Sequence, residues 1–470
     1  MGGSFRECPT WYFSLGGCGV GGCFGLKRKK VGERMKKRKG SGLSEKQAGY
    51  LLVFPALLVI LVIAIWPVVR SFWLSLHDIR LNDPTKTETH ASYGIDLERY
   101  VNTMPYLLKS LDKEVQQAQG GTRQQLADIR ARLENAQAAI GEEKQVKDRY
   151  QQVSDLLYDF KPVPAQLKYV DISDGKAKQL KETAEQADKQ LAELAAAKQL
   201  KRPNDVTGLV KGLELSVIEP NFVGLSYYKQ FLTEKRMWLS LFNTAVFTAI
   251  SVAAELLLGL WIAVLINKQF RGRGLVRAAV LIPWAIPTVI SALMWKFLYD
   301  GQNGIVAKAF ATVGLISDMS TLLTTKWGAM FSVIFADVWK TTPFMALLIF
   351  AGLQTIPDSL YEAADIDGAT KWQQFFRITL PLLKPAILVA LLFRTLDAFR
   401  VFDLIYVLTG GGPANSTETI SIYAYKTMFA QLNFGAGSAL SVIVFVCVAL
   451  ISIGFIKILG ADLLGDSRAR

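Results

Sequence analysis

A chain of 470 residues that is 51% hydrophobic and 11% aromatic, with a mean hydropathy of +0.25, is too apolar for a typical soluble enzyme. Its net charge of +13 would suit a nucleic-acid binder. The surplus Lys and Arg stand beside apolar segments, however, as membrane-orientation signals do, so nucleic acid is disfavoured as a partner. Cys8, Cys18 and Cys23 crowd the N-terminus and Cys447 lies in an apolar run, which is no disulfide framework. His77 and His90 lack neighbours at metal-ligand spacing, so no metal site is expected.

Residues 1–46 are Gly-rich and basic, with KRKKVGERMKKRK from Lys27 to Lys39, and contain no apolar core of signal-peptide length. They read as a cytoplasmic tail. Cys18 and Cys23 belong to that tail rather than to a lipidation site, and Met35, directly before a second basic cluster, is a candidate natural start. Six apolar stretches of roughly twenty residues can each cross a bilayer: 47–74, 239–266, 275–299, 327–353, 383–408 and 437–459. Pro283 and Pro287 interrupt the third. The basic arm, the turn Lys268–Arg273 and the loop with Lys371, Arg377 and Lys384 fall on one side, which should be the cytoplasm, as does the tail 461–470. The segments 76–236, 301–326 and 410–435 then lie outside.

The segment 76–236 is helical by pattern. Leu126, Ile129, Leu133, Ala136 and Ile140, then Val146, Tyr150, Val153, Leu157 and Phe160, step by three and four with one slip, and Leu180, Ala184, Ala187, Leu191 and Leu194 repeat the rule. Pro162 and Pro164 separate the runs, so a coiled-coil-like antiparallel hairpin is expected.

Charges inside spanning helices are costly unless paired, and so mark internal ion pairs or a polar pathway. Two helices carry them here. Asp337 and Lys340 are three apart on the fourth, and Arg394, Asp397, Arg400 and Asp403 step by three along the fifth. Neighbours alternate in sign, so a self-satisfied structural network and a substrate pathway both remain open.

Between the fourth and fifth spans lies the polar loop 356–385. Pro357, Asp358 and Glu362 suit a helix start, Gly368 suits a left-handed stop, and Thr370-Lys371-Trp372-Gln373 spells a capping box that begins a second helix. Glu362-Ala363-Ala364, three residues, Gly368, nine residues, Ile378 and Leu380-Pro381 resemble, without a gap, the EAA loop of the permease subunits of binding-protein-dependent ABC importers. Tyr361, Asp367, Ala369 and Phe375 extend the likeness to the sugar branch typified by the maltose permease pair. Phe242-Asn243-Thr244, Glu255, Gly259 and Thr409-Gly410-Gly411-Gly412-Pro413 with Ser416–Thr419 continue it, the last resembling the sugar-holding subunit of the pair. The likeness runs from about Gln47 to Arg470 except the insert.

The resemblance implies an all-α polytopic protein of the bacterial cytoplasmic membrane, with both termini cytoplasmic and a permease core over 237–460. It implies import of a mono- or oligosaccharide by alternating access, beside a second permease, an ATPase dimer, an outside solute-binding protein and membrane lipid. The loop residues Glu362, Ala363, Ala364, Asp367, Gly368 and Ala369 would dock the ATPase. Laid on the family pattern, the sugar-contacting positions fall on Asp337, Lys340, Thr341, Phe344, Arg394, Asp397, Ala398 and Val401, with Arg400 and Asp403 in support. The chain contains no Walker A loop, so it is expected to be no enzyme, with ATP and Mg held by the partner. The insert, unlike the β-rich outside domain of the maltose permease, inherits no function; spacer, lid and docking surface stay open. Polyol or glycerol-phosphate import, an ion-coupled secondary transporter and a membrane-anchored scaffold are the alternative readings.

Overall fold

The computed structural model describes residues 45–466. Most of the basic segment 1–46, with Cys8, Cys18, Cys23 and Met35, and the last four residues of the tail 461–470 lie outside the described residues. The chain divides into two units, Met1–Leu61 and Val62–Arg470. The described part of the first is the helix α1 (Glu45–Ile60), apolar almost throughout and holding Pro55. The packing described below is that of the second.

After α2 (Trp66–Leu74) the chain leaves for the insert and returns to the same place. The Asp78 amide donates to the Asn221 carbonyl at 2.7 Å and the Val223 amide to the Leu76 carbonyl at 2.9 Å, while the Ser75 and Tyr228 hydroxyls meet at 2.6 Å. Asp78 is buried, and its desolvation is outweighed by hydrogen bonds from Lys86, Tyr227 and Arg80, which hold its carboxyl below the usual carboxylate range.

The insert is a helical bundle rather than the expected hairpin. A strand β1 (Gly94–Asp96) leads into α3 (Leu97–Gln117), whose N-terminus is capped by Asp96 accepting from the Arg99 amide at 3.0 Å. Then follow α4 (Gly120–Gly141), α5 (Lys144–Tyr158), β2 (Tyr169–Asp171), α6 (Asp174–Ala196), α7 (Pro203–Glu214) and β3 (Val217–Ile218). Helix α3 packs on α4 and α7, α4 on α6 and α6 on α7, closing four helices around one core; α5 covers α3. The strands form a small antiparallel sheet in the order β2-β1-β3. The physical reason is the stripe Leu97, Tyr100, Val101, Met104, Leu107 and Leu111 on α3, joined by Val206, Val210 and Leu213 on α7. Two helices alone would leave these stripes in water, whereas four bury them in a core of the insert's own.

Among the described residues, five helices are long and apolar enough to span a membrane: Gly49–Leu74, Lys235–Asn267, Lys326–Leu353, Lys371–Phe399 and Phe434–Ile458. The pair α9 (Arg273–Ala285) and α10 (Thr288–Leu298), bent by 89° at Ile286-Pro287, is long and apolar enough for a sixth span when the two helices are taken together. Helix α8 (Lys235–Asn267) packs on α11 (Lys326–Leu353), and both pack on α13 (Leu380–Phe399), which follows the short loop helix α12 (Ser359–Ile366). Small residues permit the close approach. A Cβ on Gly259 would lie 2.8 Å from Met345 Cγ and 3.2 Å from the Ala346 nitrogen, and one on Gly352 would collide with the Ala386 methyl. The fifth span does not run to residue 408 as expected. It ends at Phe399, and a separate helix α14 (Asp403–Leu408) follows the break at Arg400–Phe402, so the three-residue charge series is cut before Asp403. Two further helices, α15 (Ile420–Tyr425) and α16 (Phe434–Asp466), complete the core.

Because α11 and α13 touch through Gly352 and Ala386, Gly352→Leu should destabilise the purified protein by about 1–3 kcal/mol. Gly454→Leu, where nothing lies within 4 Å, should stay within about 0.5 kcal/mol of wild type. Thermal melting in detergent checks both.

Candidate functional site

The three helices α8, α11 and α13 each send charge to one point. Arg394 of α13 is 2% exposed; its Nε donates to Glu255 Oε2 at 2.5 Å and its Nη2 to Glu255 Oε1 at 2.9 Å. The same guanidinium bonds Asp337 of α11 and reaches Asp397 Oδ2 at 3.2 Å. Thr341 donates to Glu255 Oε1 at 2.7 Å, so the buried carboxylate of α8 is held from two sides. A forked guanidinium is the one side chain that can satisfy carboxylates from several directions with the strength buried charges demand.

Lys340 does not pair with its neighbour Asp337, one of the two arrangements that the alternation of sign along the helix leaves open. Its ammonium donates to the carbonyls of Ile286 at 2.6 Å and Trp284 at 3.4 Å, where Pro287 has broken the third span and freed helix-end acceptors. The charge thus fastens the bend onto α11. Trp284 in turn stacks on Phe344, with ring centroids 5.8 Å apart and planes 18° from parallel.

Trp284, Ile286 and the charged groups of α11 and α13 wall a cavity of about 530 Å³. Of the expected contact residues, Asp337, Lys340, Thr341, Arg394, Asp397 and Val401 line it. Phe344 stands behind Trp284, and Ala398 is buried in the helix core. Arg400 and Asp403, expected in support, reach the wall because the helix breaks between them. Burial separates two carboxylates that looked alike in the sequence. Asp337 is buried against Arg394, whereas the Asp397 side chain is 61% exposed and lies 3.9 Å from Arg400. Glu255 is the residue that reading the charges of two helices missed. A third helix carries charge, and its signal was a lone carboxylate in a 33-residue apolar helix.

At the other end of α13 the loop forms the expected corner. Gly368 has φ +75°, following α12, and Thr370 with Gln373 forms the capping box, the Thr370 amide donating to Gln373 Oε1 at 2.8 Å. Asp365 closes the corner by accepting from Lys371 at 2.9 Å and Gln374 at 2.5 Å, and the Lys371 hydrogen bond holds its carboxyl below the usual range. Glu362, Ala363, Asp367 and Gly368 are exposed, Ala369 is half-buried, and Ala364 turns inward. Beside them stand Ile366, Trp372 and Phe376, all exposed, the last two stacked 5.9 Å apart. Beyond the C-terminal end of α14, Glu418 is buried, yet bonds from Arg236 at 2.8 Å and Lys426 at 3.0 Å outweigh desolvation and hold it below the usual carboxylate range.

The family described as binding-protein-dependent transport system inner membrane component matches residues 255–464. The chain is 48% identical over 240 residues to the trehalose/maltose transport system permease protein MalF of Thermococcus litoralis, covering 51% of this chain and 80% of that one. It belongs to this permease family. To the trehalose transport system permease protein SugA of Mycobacterium tuberculosis it is 46% identical over 240 residues, covering 51% of this chain and 76% of the relative. To the sulfoquinovosyl glycerol transport system permease protein SmoG of Agrobacterium fabrum the identity is 39% over 244 residues, with 52% and 79% covered. The protein is therefore a multi-pass inner-membrane permease of an ABC importer, a transport subunit rather than an enzyme, and works with an ATPase and a solute-binding protein.

Burial predicts stability effects of different size for the two carboxylates. Asp337→Ala strands part of a buried guanidinium and should cost about 3–5 kcal/mol, whereas Asp397→Ala should change stability by less than about 1 kcal/mol. Melting of the assembled complex measures the difference.

Proposed function

We propose that this permease imports a carbohydrate, and that the cavity between α11, α13 and the broken third span is where the sugar is held. The observation that carries the reading is the cavity's chemistry. Asp397 and Arg400 offer charge-assisted partners for hydroxyl pairs, and Trp284 and Phe402 offer flat apolar faces for a pyranose ring. Relatives named for trehalose, maltose and sulfoquinovosyl glycerol support a sugar-like solute. Arg394, Asp337 and Glu255 hold the wall, and Asp397 and Arg400 meet the substrate.

A second permease closes the pathway as a heterodimer, and a loaded binding protein docks outside. The insert lies on that side, and both chain termini on the cytoplasmic side, because the basic turns flank the opposite ends of the spans. ATP with Mg, bound to a partner ATPase dimer, supplies the energy. The exposed corner Glu362–Ala369 with Ile366 and Trp372 receives that dimer, and its motion passes up α13 to the cavity.

Reconstitution with the co-expressed neighbours and their binding protein tests this by uptake of trehalose, maltose, maltotriose and glycerol 3-phosphate. At least one of the sugars should enter in an ATP- and binding-protein-dependent manner. Asp397→Ala should assemble normally and lower that uptake about 10- to 100-fold, the value of a lost charge-assisted hydrogen bond. Uptake that survives ATP depletion on a proton gradient, or full sugar uptake by Asp397→Ala, would contradict it.

A further inference from the structure

Next to the bend of the third span lies an apolar groove of about 350 Å³. Leu258 and Ile262 of α8, Val280 and Pro283 of α9, and Trp339 and Pro343 of α11 wall it. Thr342 also borders it, but its hydroxyl already donates to the Val338 carbonyl at 2.6 Å. Such a lining has little to offer a hydroxylated solute and suits a chain of methylenes. The turn 268–272 joins α8 to α9, the helices that form two of the walls. At ~1.5 Å per residue, Ile262 lies roughly 8 Å along α8 from its end at Asn267, and Val280 roughly 10 Å along α9 from its start at Arg273. Lys268, Arg271 and Arg273, at this end of the two helices, are exposed and form no ion pair among the described residues. No Asp or Glu occurs from Leu256 to Tyr299, so the chain brings no counter-charge of its own nearby in sequence. Arg277, one turn into α9, is already engaged. Its Nη2 donates to the Ile266 carbonyl at 2.9 Å and its guanidinium lies 4.5 Å from the Phe350 ring centre, which fastens α9 to the end of α8. Phe270 and Leu275 stand exposed beside the free cations, the mixture of apolar and basic groups that suits headgroup depth.

We propose that this turn and groove bind an anionic phospholipid, its phosphate held by Lys268, Arg271 and Arg273 and one acyl chain laid between α8, α9 and α11. Basic turns orient a protein in any bilayer. Here they end the two helices whose deeper residues wall the groove, so headgroup and chain are met by one continuous piece of structure. A helix of the second permease would fill the groove but leave the three cations without counter-charge, whereas an anionic lipid satisfies both. The same bent segment gives Pro283 to the groove and Trp284 and Ile286 to the charged cavity, so the bound chain packs on the element that shapes the solute site. The inference does not depend on which solute is carried.

The test uses the complete complex with its ATPase and second permease in phosphatidylcholine proteoliposomes. It follows quenching of tryptophan fluorescence by lipids with brominated acyl chains, which requires contact with the ring. The difference between wild type and Trp339→Phe isolates the groove tryptophan. That component should be quenched by brominated phosphatidylglycerol at a mole fraction about 100-fold lower than by brominated phosphatidylcholine, since each of three cations near a charged surface is about a fivefold in binding. Changing Lys268, Arg271 and Arg273 together to Gln should abolish the preference, and the charge-keeping set Lys268→Arg, Arg271→Lys and Arg273→Lys should retain it, both with the ATPase still co-purifying. Equal quenching by the two lipids in the wild-type complex would overturn the site, and that comparison needs neither charge variant. So would a Trp339 that no brominated lipid reaches in the complex, which would assign the groove to the second permease, or a preference for phosphatidylglycerol that survives the change to Gln.

Discussion

One guanidinium holds the centre of this permease together. Arg394 takes two hydrogen bonds to Glu255 on α8 and one to Asp337 on α11, all in the protein interior. An uncompensated charge there would cost several kcal/mol, so the three helices are confined to the register that brings these groups together. The rest of the site follows from that register. With Asp337 engaged by Arg394, Lys340 is left to bind the carbonyls freed at Pro287, and this fixes the 89° bend that brings Trp284 to the cavity wall. Asp397 and Arg400, one and two turns further along, are left exposed to meet a solute.

The same residue joins the loop to the cavity. A helical segment runs from Lys371 to Phe399, through a π turn at Phe375–Thr379, so Lys371 and Arg394 lie on one continuous rod about 35 Å apart along its axis. Tyr361 bonds Thr379 at 2.9 Å and Asp365 bonds Lys371, which ties the corner helix α12 to the foot of that rod. A displacement of the exposed corner therefore moves α13 as a body. Arg394 passes that movement to α8 and α11 through charge pairs whose loss is costly, and this gives the proposed coupling between ATPase and sugar a physical route.

What was legible in the sequence was local. Gly368 at positive φ and the Thr370–Gln373 capping box are properties of neighbouring residues, and both were read correctly from residue type. The apolar spans were legible because twenty apolar residues have few other uses. Partners across helices were not. Asp337–Lys340 and Arg400–Asp403 look like pairs along a helix, but the first is broken by tertiary partners and the second by the end of α13 at Phe399. Glu255 was visible as a charge in an apolar helix, yet nothing local names Arg394, 139 residues away, as its partner. The insert was misjudged for a related reason: the stripe from Leu97 to Leu111 and that of α7 were left out, and only a four-helix core buries them.

The central claim is that Glu255 and Arg394 act as one unit. A thermal-stability cycle on the assembled complex, with Glu255→Gln, Arg394→Gln and the double variant, measures that coupling directly. If the pair holds α8 to α13, each single change should destabilise strongly and the double change should be no worse than the worse single one, leaving an interaction energy of about 1–3 kcal/mol. Additive losses, with an interaction energy near zero, would show that the two residues support the membrane core independently.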